Sequence, residues 1–323
     1  MAERHSAAGP LIHAVGECMI ELQRAGAGTL DYRFGGDTLN AAVYMARLLD
    51  PAVARVAYVT GLGADGMSDE MLASWEAEGI VTDCVLRLPE RLPGMYLIEL
   101  DDAGERRFHY WRRDAAARHW PGAHGAAGVL ARLETAHTVY LSGISLAILA
   151  PADRARLLET LARCRANGGL VVFDNNYRPR LWEDAATARA AYAAALRCAG
   201  IALLTLDDEA ALYGDAADDA AAALARTRAL GVPEIVVKRG AAPCLVWHDG
   251  VLHAVPAAPV ARVVDTTAAG DSFGAAYTAA RLSGAAPEAA ARAGHRLAAA
   301  VIQEKGAIIA RERMPPPLAA AGN

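Results

Sequence analysis

Five short runs rich in β-branched residues recur along the chain, and each borders a longer stretch with apolar residues at helical spacing. They are VARVAYVT (53–60), HTVYLSG (137–143), GLVVFDNN (169–176), IALLTL (201–206) and EIVVKRG (234–240). Strands that alternate with helices can pair in parallel only if the helices cross over the sheet, so this rhythm predicts an α/β chain with a mostly parallel sheet covered by helices. Residues 17–34 and 93–113 break the rhythm. They read as strand-like segments with no helix between them and a hairpin at DDAG (101–104), which predicts a small β element attached to the main body.

With 323 residues, 54% of them apolar, the chain can fill one large core. No stretch rich in Pro, Gly and Ser divides it, so we read residues 1–323 as one domain with a loose tail at 314–323 (MPPPLAAAGN). The alanine-rich tract DAADDAAAALARTRAL (215–230) keeps helical spacing and reads as a helix. Thirty-seven acidic residues against 32 basic ones give a net charge of -5, with no basic stripe, which argues against a nucleic-acid partner. Cys18, Cys84, Cys164, Cys198 and Cys244 are scattered, odd in number and never spaced C-x-x-C, so neither a disulfide framework nor a structural zinc site is expected and a reducing, cytoplasmic setting fits. Glu17 and Glu21 interrupt the first apolar run, which is too short for a signal or a membrane span.

The most informative segment is VVDTTAAGDSFGAAYTAARLSG (263–284), read as a strand, a small-residue loop at Ala268, Ala269 and Gly270, then a helix. Small side chains let a backbone approach an anion, and the first-turn N–H groups of a helix point toward it with the positive end of the dipole. Asp271 stands at the mouth of that helix. For an isolated A-G-D the better reading is a helix cap. A capping carboxylate would repel an anion, however, unless its task is to take a proton from a hydroxyl that attacks a bound phosphate.

The run D-T-T-A-A-G-D-S-F resembles the C-terminal signature of the ribokinase-like (PfkB) carbohydrate kinases. That resemblance implies a three-layer α/β sandwich with a small β lid, ATP and magnesium as cofactors, Asp271 as catalytic base, and the backbone of Ala268, Ala269, Gly270 and Asp271 as an anion hole. FGGDTLNAA (34–42) is similar to the family's sugar site, with Gly35 and Gly36 allowing close approach and Asn40 bonding hydroxyls. An ordinary helix start capped by Asp37 is an equal reading of that segment. Glu209 in TLDDE matches an acidic residue near magnesium and phosphates, although the family's usual Asn three positions earlier is Leu206 here. KRGAAPCLV (238–246) resembles the nucleotide side, with Lys238 and Gly240; a basic strand end is the plain alternative. His295 lies where many members carry an Asn beside the nucleotide, and could equally be a satisfied helix histidine. Asp265 and Thr267 match positions that help hold a monovalent cation, potassium, behind the anion hole, though oxygen-rich turns often bind nothing.

Two regions bear on the acceptor. In GMYLIELDDAGERRFHYWRRDAAAR (94–118), a three-residue loop at Asp102, Ala103 and Gly104 would place Asp101 opposite Glu105 and Tyr96 opposite Tyr110. Arg112, two residues after Tyr110, would share their face, and its fork matches a carboxylate, although strand arginines are more often solvated. VVFDNNYRPRLW (171–182) puts Asn176 and Arg178 at a strand's carboxyl end, where open α/β sheets bind ligands. It resembles the D-x-N-x-R-x-x-L-W pattern of the family's 2-keto-3-deoxygluconate kinases, as do GECMIEL, LSGISLAIL and QEKGAII. The resemblance implies a small acidic sugar as substrate, held by Tyr96, Tyr110, Arg112 and Arg178, with Asn176 facing ATP. It also implies a dimer or larger homo-oligomer.

Three other readings rank lower. GLGADG (61–66) fits a dinucleotide fingerprint, but Asp65 would put a negative charge where a pyrophosphate should sit. It is also similar to the family's G-x-D-x-x-G turn, with Ser68 in place of the last glycine. GISLA (143–147) approaches a nucleophile elbow without its last glycine. A catalytically silent sugar sensor should have lost its base, and Asp271 is present.

Overall fold

The computed structural model describes residues 9–26, 28–100 and 106–316. In chain order the first half comprises β1 (Leu11–Val15), β2 (Met19–Gly26), β3 (Thr29–Gly35), α1 (Asp37–Leu48), β4 (Arg55–Leu62), α2 (Gly66–Ala77), β5 (Val81–Arg87), β6 (Gly94–Leu100), β7 (Arg106–Trp111), α3 (Ala126–Glu134), β8 (Thr138–Ser142), α4 (Gly143–Ala147) and α5 (Pro151–Ala166). The second half adds β9 (Leu170–Asp174), α6 (Ala185–Cys198), β10 (Ile201–Thr205), α7 (Leu206–Tyr213), α8 (Ala220–Ala229), β11 (Glu234–Lys238), β12 (Cys244–His248), β13 (Val251–Val255), α9 (Ala269–Leu282) and α10 (Pro287–Val301).

Nine strands form one sheet in the order β13-β12-β11-β10-β9-β8-β1-β4-β5. The seven from β11 to β5 pair in parallel, and the two at the other edge return antiparallel through tight turns. Its side chains alternate between two cores, as a pleat of period two requires. On β10, Ile201 and Leu203 face the core built by α1, α2, α9 and α10, while Ala202 and Leu204 face the one built by α3 to α8. On β11, Val236 faces the first and Val237 the second. Helices therefore cover both faces, giving the three-layer α/β sandwich that the resemblance implied. Among the described residues, no helix is long and apolar enough to cross a membrane.

The segments that broke the sequence rhythm form a separate four-stranded sheet in the order β3-β2-β6-β7. Tyr96 lies directly opposite Tyr110, the pairing expected from the hairpin. The loop proposed to set that register, with Asp101 opposite Glu105, lies outside the described residues. Three other expectations need correction. Residues 263–267, read as a strand before the small-residue loop, form no strand: the Val264 and Asp265 N–H groups bond to the Ile302 carbonyl, and Val263 and Val264 face solvent. The alanine-rich helix begins only at Ala220, because the Asp219 side chain accepts from the Ala222 N–H and caps it there. Met314, placed in the tail, packs on the first core and lies 3.7 Å from an Arg47 N–H donor.

Candidate functional site

The carboxyl ends of β9 and β11 meet the amino ends of α1 and α9, and charged groups gather there. The Asp174 carboxylate at the end of β9 is buried and receives the Lys238 Nζ of β11 at 3.0 Å on each oxygen. Tyr140 on β8 donates to the same carboxylate at 3.4 Å. Removal from water pushes Asp174 up, and Lys238 works against that shift.

Asp271 does not cap its helix. Ala268 occupies the cap position in the left-handed region (φ 59°), no side chain caps the end, and Asp271 is the third helical residue. A non-glycine residue held in that region is strained, and such strain concentrates at functional turns. The Ala269 N–H already donates to the Thr266 carbonyl at 3.2 Å, so it is less available to an anion than the sequence implied. Gly270 leaves the head of the helix open toward Lys238, whose Nζ would lie 3.4 Å from a methyl group there.

The Asp271 carboxylate accepts from the Asn40 Nδ2 at 2.8 Å. Loss of water contact pushes its pKa up to about 7, with Asp37 and Asp174 adding repulsion and the Asn40 bond and Lys238 opposing it. A pKa near neutrality suits a general base working at pH 7 better than the ordinary carboxylate value of ~4.

The alternative reading of Asp37 as the cap of α1 fails: Gly36 is the cap residue and Asp37 the first helical residue. The Asp37 carboxylate instead receives the Asn176 Nδ2 at 2.7 Å, and Asn176 itself is held in the left-handed region (φ 28°). Asn176 thus joins the carboxylate cluster. Gly36 proves necessary for the protein's own packing, since a Cβ there would lie 2.1 Å from the Glu17 carbonyl oxygen. Gly35 ends β3 beside the Tyr96 hydroxyl.

Tyr96, Tyr110 and Arg112 do come together. The Tyr96 and Tyr110 rings lie 5.6 Å apart, and the Arg112 guanidinium stands 5.9 Å from the Tyr110 ring centre. Arg112 is not solvated: it pairs with the buried Glu17 carboxylate. The Tyr96 hydroxyl donates to Glu21 at 2.5 Å. Arg178 is half exposed and pairs with Asp208 at 3.2 Å.

The remaining expectations fall elsewhere. Glu209 is buried and accepts from Asn175 at 3.2 Å and Arg226 at 2.9 Å. Burial pushes its pKa up. The Asp265 carboxylate accepts from the Thr267 N–H (2.9 Å), the Thr267 hydroxyl (2.7 Å) and the Gly306 N–H (2.9 Å), which braces the small-residue loop against the turn after α10. Among the described residues, no group of three His, Cys, Asp or Glu side chains could hold a metal ion. His295 is buried edge-on against Phe273 at 5.1 Å, and burial lowers its pKa. Gly240 turns the chain from β11 to β12 at φ 59°.

The lower-ranked motifs prove structural. Asp65 caps α2 through the Ser68 N–H (3.1 Å) and hydroxyl (2.7 Å), and Ser68 in turn accepts from the Gly63 N–H, which explains a serine in place of the last glycine. Ser145 donates to the Val15 carbonyl at 2.6 Å and is buried. Sequence reasoning missed four site residues: Asp37, Asp174, Asn175 and Glu17. Asp174 and Asn175 stood inside the quoted D-N-N run. The Asn175 Oδ1 accepts from the N–H groups of Asn176 and Thr205, and so fixes the strand ends on which the site rests.

Residues 10–314 match the pfkB family carbohydrate kinase pattern. The chain belongs to that family. Two relatives of this pfkB kinase are named 2-dehydro-3-deoxygluconokinase: one from Dickeya dadantii is 54% identical, and one from Escherichia coli K12 is 52% identical, each over 94% of this chain and 98% of its own length. Among solved structures, a PfkB protein from Polaromonas sp. JS666 superposes with a TM-score of 0.76 at 27% identity, over 90% of this chain and 95% of its own. An ATP-bound fructokinase from Xylella fastidiosa superposes at 0.75 and 25% identity, over 95% of each chain. An Escherichia coli protein described as a putative ribokinase II with ATP and magnesium shares the fold at 0.78 and 22% identity, over 95% of this chain and 96% of its own.

Proposed function

We propose that this pfkB kinase transfers the γ-phosphoryl group of ATP to the terminal hydroxyl of 2-keto-3-deoxygluconate (2-dehydro-3-deoxygluconate), forming the 6-phosphate. The observation that carries the reaction is Asp271, a carboxylate raised to about 7 at the head of α9, one turn from a strained loop of small residues. The substrate's identity is supported by the names of relatives that match nearly the whole chain at more than half identity.

In this reading the hydroxyl oxygen forms a bond to the γ-phosphorus, the bond to the ADP oxygen breaks, and the hydroxyl proton passes to Asp271. Asn40 aims the carboxylate. Backbone amides of Gly270 and Asp271, the helix dipole and Lys238 meet the charge on the transferring group. The absence of a Cβ at Gly270 leaves that approach open, which is why the head of α9 fits a phosphate. Asn176 stands between Asp37 and the nucleotide side, and Arg178 and His295 would flank ATP and substrate.

Magnesium asks few carboxylates of a kinase, because phosphates and water supply most of its ligands. Glu209, fixed by Asn175 and Arg226, would steady the ion's water shell, and the ion would neutralise charge on the phosphates. Asp265 and Thr267 would hold potassium at the loop they brace. The small sheet acts as the lid, with Tyr96, Tyr110 and Arg112 above the acid. Its edge strands offer the surface for a homo-oligomer.

The test is ADP release from ATP and magnesium with 2-keto-3-deoxygluconate, its galactonate epimer, fructose, ribose and adenosine. The proposal requires strong preference for the keto-deoxy acids and loss of turnover in Asp271→Asn. Turnover of a neutral sugar alone would overturn the acid reading.

A further inference from the structure

We propose that Glu17 is the positioning residue for the substrate's carboxylate: it clamps one edge of the Arg112 guanidinium so that the rest of the fork faces the acid. This rests on the reading that Arg112 binds that carboxylate. Glu17 lies in the link between β1 of the large sheet and β2 of the small one, and Arg112 directly follows β7, so the pair ties the two sheets together at their junction.

The geometry is unusual for a simple structural salt bridge. The Glu17 side chain is 1% exposed and that of Arg112 10%, yet Glu17 Oε1 and Arg112 Nε have no hydrogen-bond partner among the described residues. A buried ion pair is favourable only when its remaining donors and acceptors are satisfied, so the unused donor on Arg112 is the group an acid could take up, whereas the unused Glu17 oxygen, an acceptor, can only hold the guanidinium. Surroundings fix the glutamate rigidly. A Cβ at Gly94 would lie 2.7 Å from Glu17 Oε1, and one at Gly36 would strike the Glu17 carbonyl, so both glycines exist to let this residue in.

Charge fits the same ligand. Arg118 lies within electrostatic reach of both Glu17 and Arg112, and no hydrogen bond or ion pair engages its guanidinium among the described residues. The guanidinium groups of Arg112 and Arg118 thus stand beside Glu17, with the Asp37 carboxylate also within its electrostatic reach, and an acid would add a second partner for the two cations. Without Glu17 the fork of Arg112 would be free to rotate, and a carboxylate would lose its paired geometry.

The test is a double-mutant cycle in the full-length enzyme with 2-keto-3-deoxygluconate. Glu17→Gln is nearly isosteric and should raise the KM for the acid about tenfold, while kcat and the KM for ATP stay within about twofold. In an Arg112→Met background the same substitution should change the acid's KM by less than about twofold, because a positioning residue acts only through the group it positions. An equal rise in both backgrounds would show a merely structural role and overturn the proposal, as would no rise from Glu17→Gln when Arg112→Met alone raises the KM. If Arg112→Met leaves the KM unchanged, the carboxylate reading of Arg112 falls first and takes this proposal with it. Should Glu17→Gln fold poorly, Glu17→Asp keeps the charge but withdraws it from the fork, and must show the same dependence on Arg112.

Discussion

The floor of the site and the sheet that stands beside it solve opposite problems. On the floor, Asp271, Asp37, Asp174 and Lys238 crowd where water is scarce, and each is held by a partner from a distant part of the chain. On the small sheet the aromatic face remains open, with Tyr110 51% and Phe108 41% exposed, and only its root is buried, around Glu17 and Arg112. Crowding shifts proton affinity, which catalysis needs, whereas an open aromatic face can close on a ligand at little cost in packing. In the proposed function reaction and recognition are thereby separated, one assigned to the parallel sheet and the other to the appended one.

That separation breaks first at Asp271. Asp271→Asn should lower kcat by about a thousandfold or more with KM for the acid nearly unchanged, measured in steady state. Equal losses in binding would show that the floor also recognises substrate. Arg112→Ala should do the reverse, raising the acid's KM by roughly 10- to 100-fold with kcat little altered, since a charge-assisted pair is worth about 1.5–3 kcal/mol.

Asn40→Ala sharpens the electrostatic half of the contrast. The base works deprotonated, so kcat/KM should fall as pH drops below about 7 in the wild-type enzyme. Removing the amide that favours the ionised carboxylate should move that limb to higher pH and cost about tenfold at pH 7. The same shift has a stability sign. Because the folded-state pKa lies above the ordinary carboxylate value, the contribution of Asp271 to stability is complete below pH ~4 and is lost as pH rises through about 7. Asp271→Asn should therefore raise the thermal midpoint by about 2 °C or more at pH 8, and not at pH 4. The smallest effect belongs to the open face: Tyr110→Ala should change the midpoint by less than about 1 °C, since exposed side chains contribute little.

Much of the fold was legible in the sequence because its signals are local. All five β-branched runs became strands of the large sheet, and the segments that broke their rhythm became the second sheet. The strand expected at 263–267 failed for a reason that spacing cannot show: the Val264 and Asp265 amides turn to the Ile302 carbonyl just after α10, not to a neighbouring strand. Among site residues, Asp271, Asn40 and the Tyr96–Tyr110 pair were readable from motif or register. The role of Asp37 stayed open between two readings because a carboxylate at a helix start looks the same whether it caps the helix or faces an amide 139 residues away.

What the sequence by itself determined is therefore the layered α/β architecture, the small second sheet and the motif residues to which we assign phosphoryl transfer, all written in patterns a few residues long. Only the tertiary structure decided which of those residues act on one another: that Asn40 reaches Asp271 across 231 positions, that Asp37 and Asp174 raise its proton affinity, and that Arg112 is held by Glu17. Electrostatic coupling depends on distance in space and on the loss of water between groups, and neither quantity exists until the chain has folded.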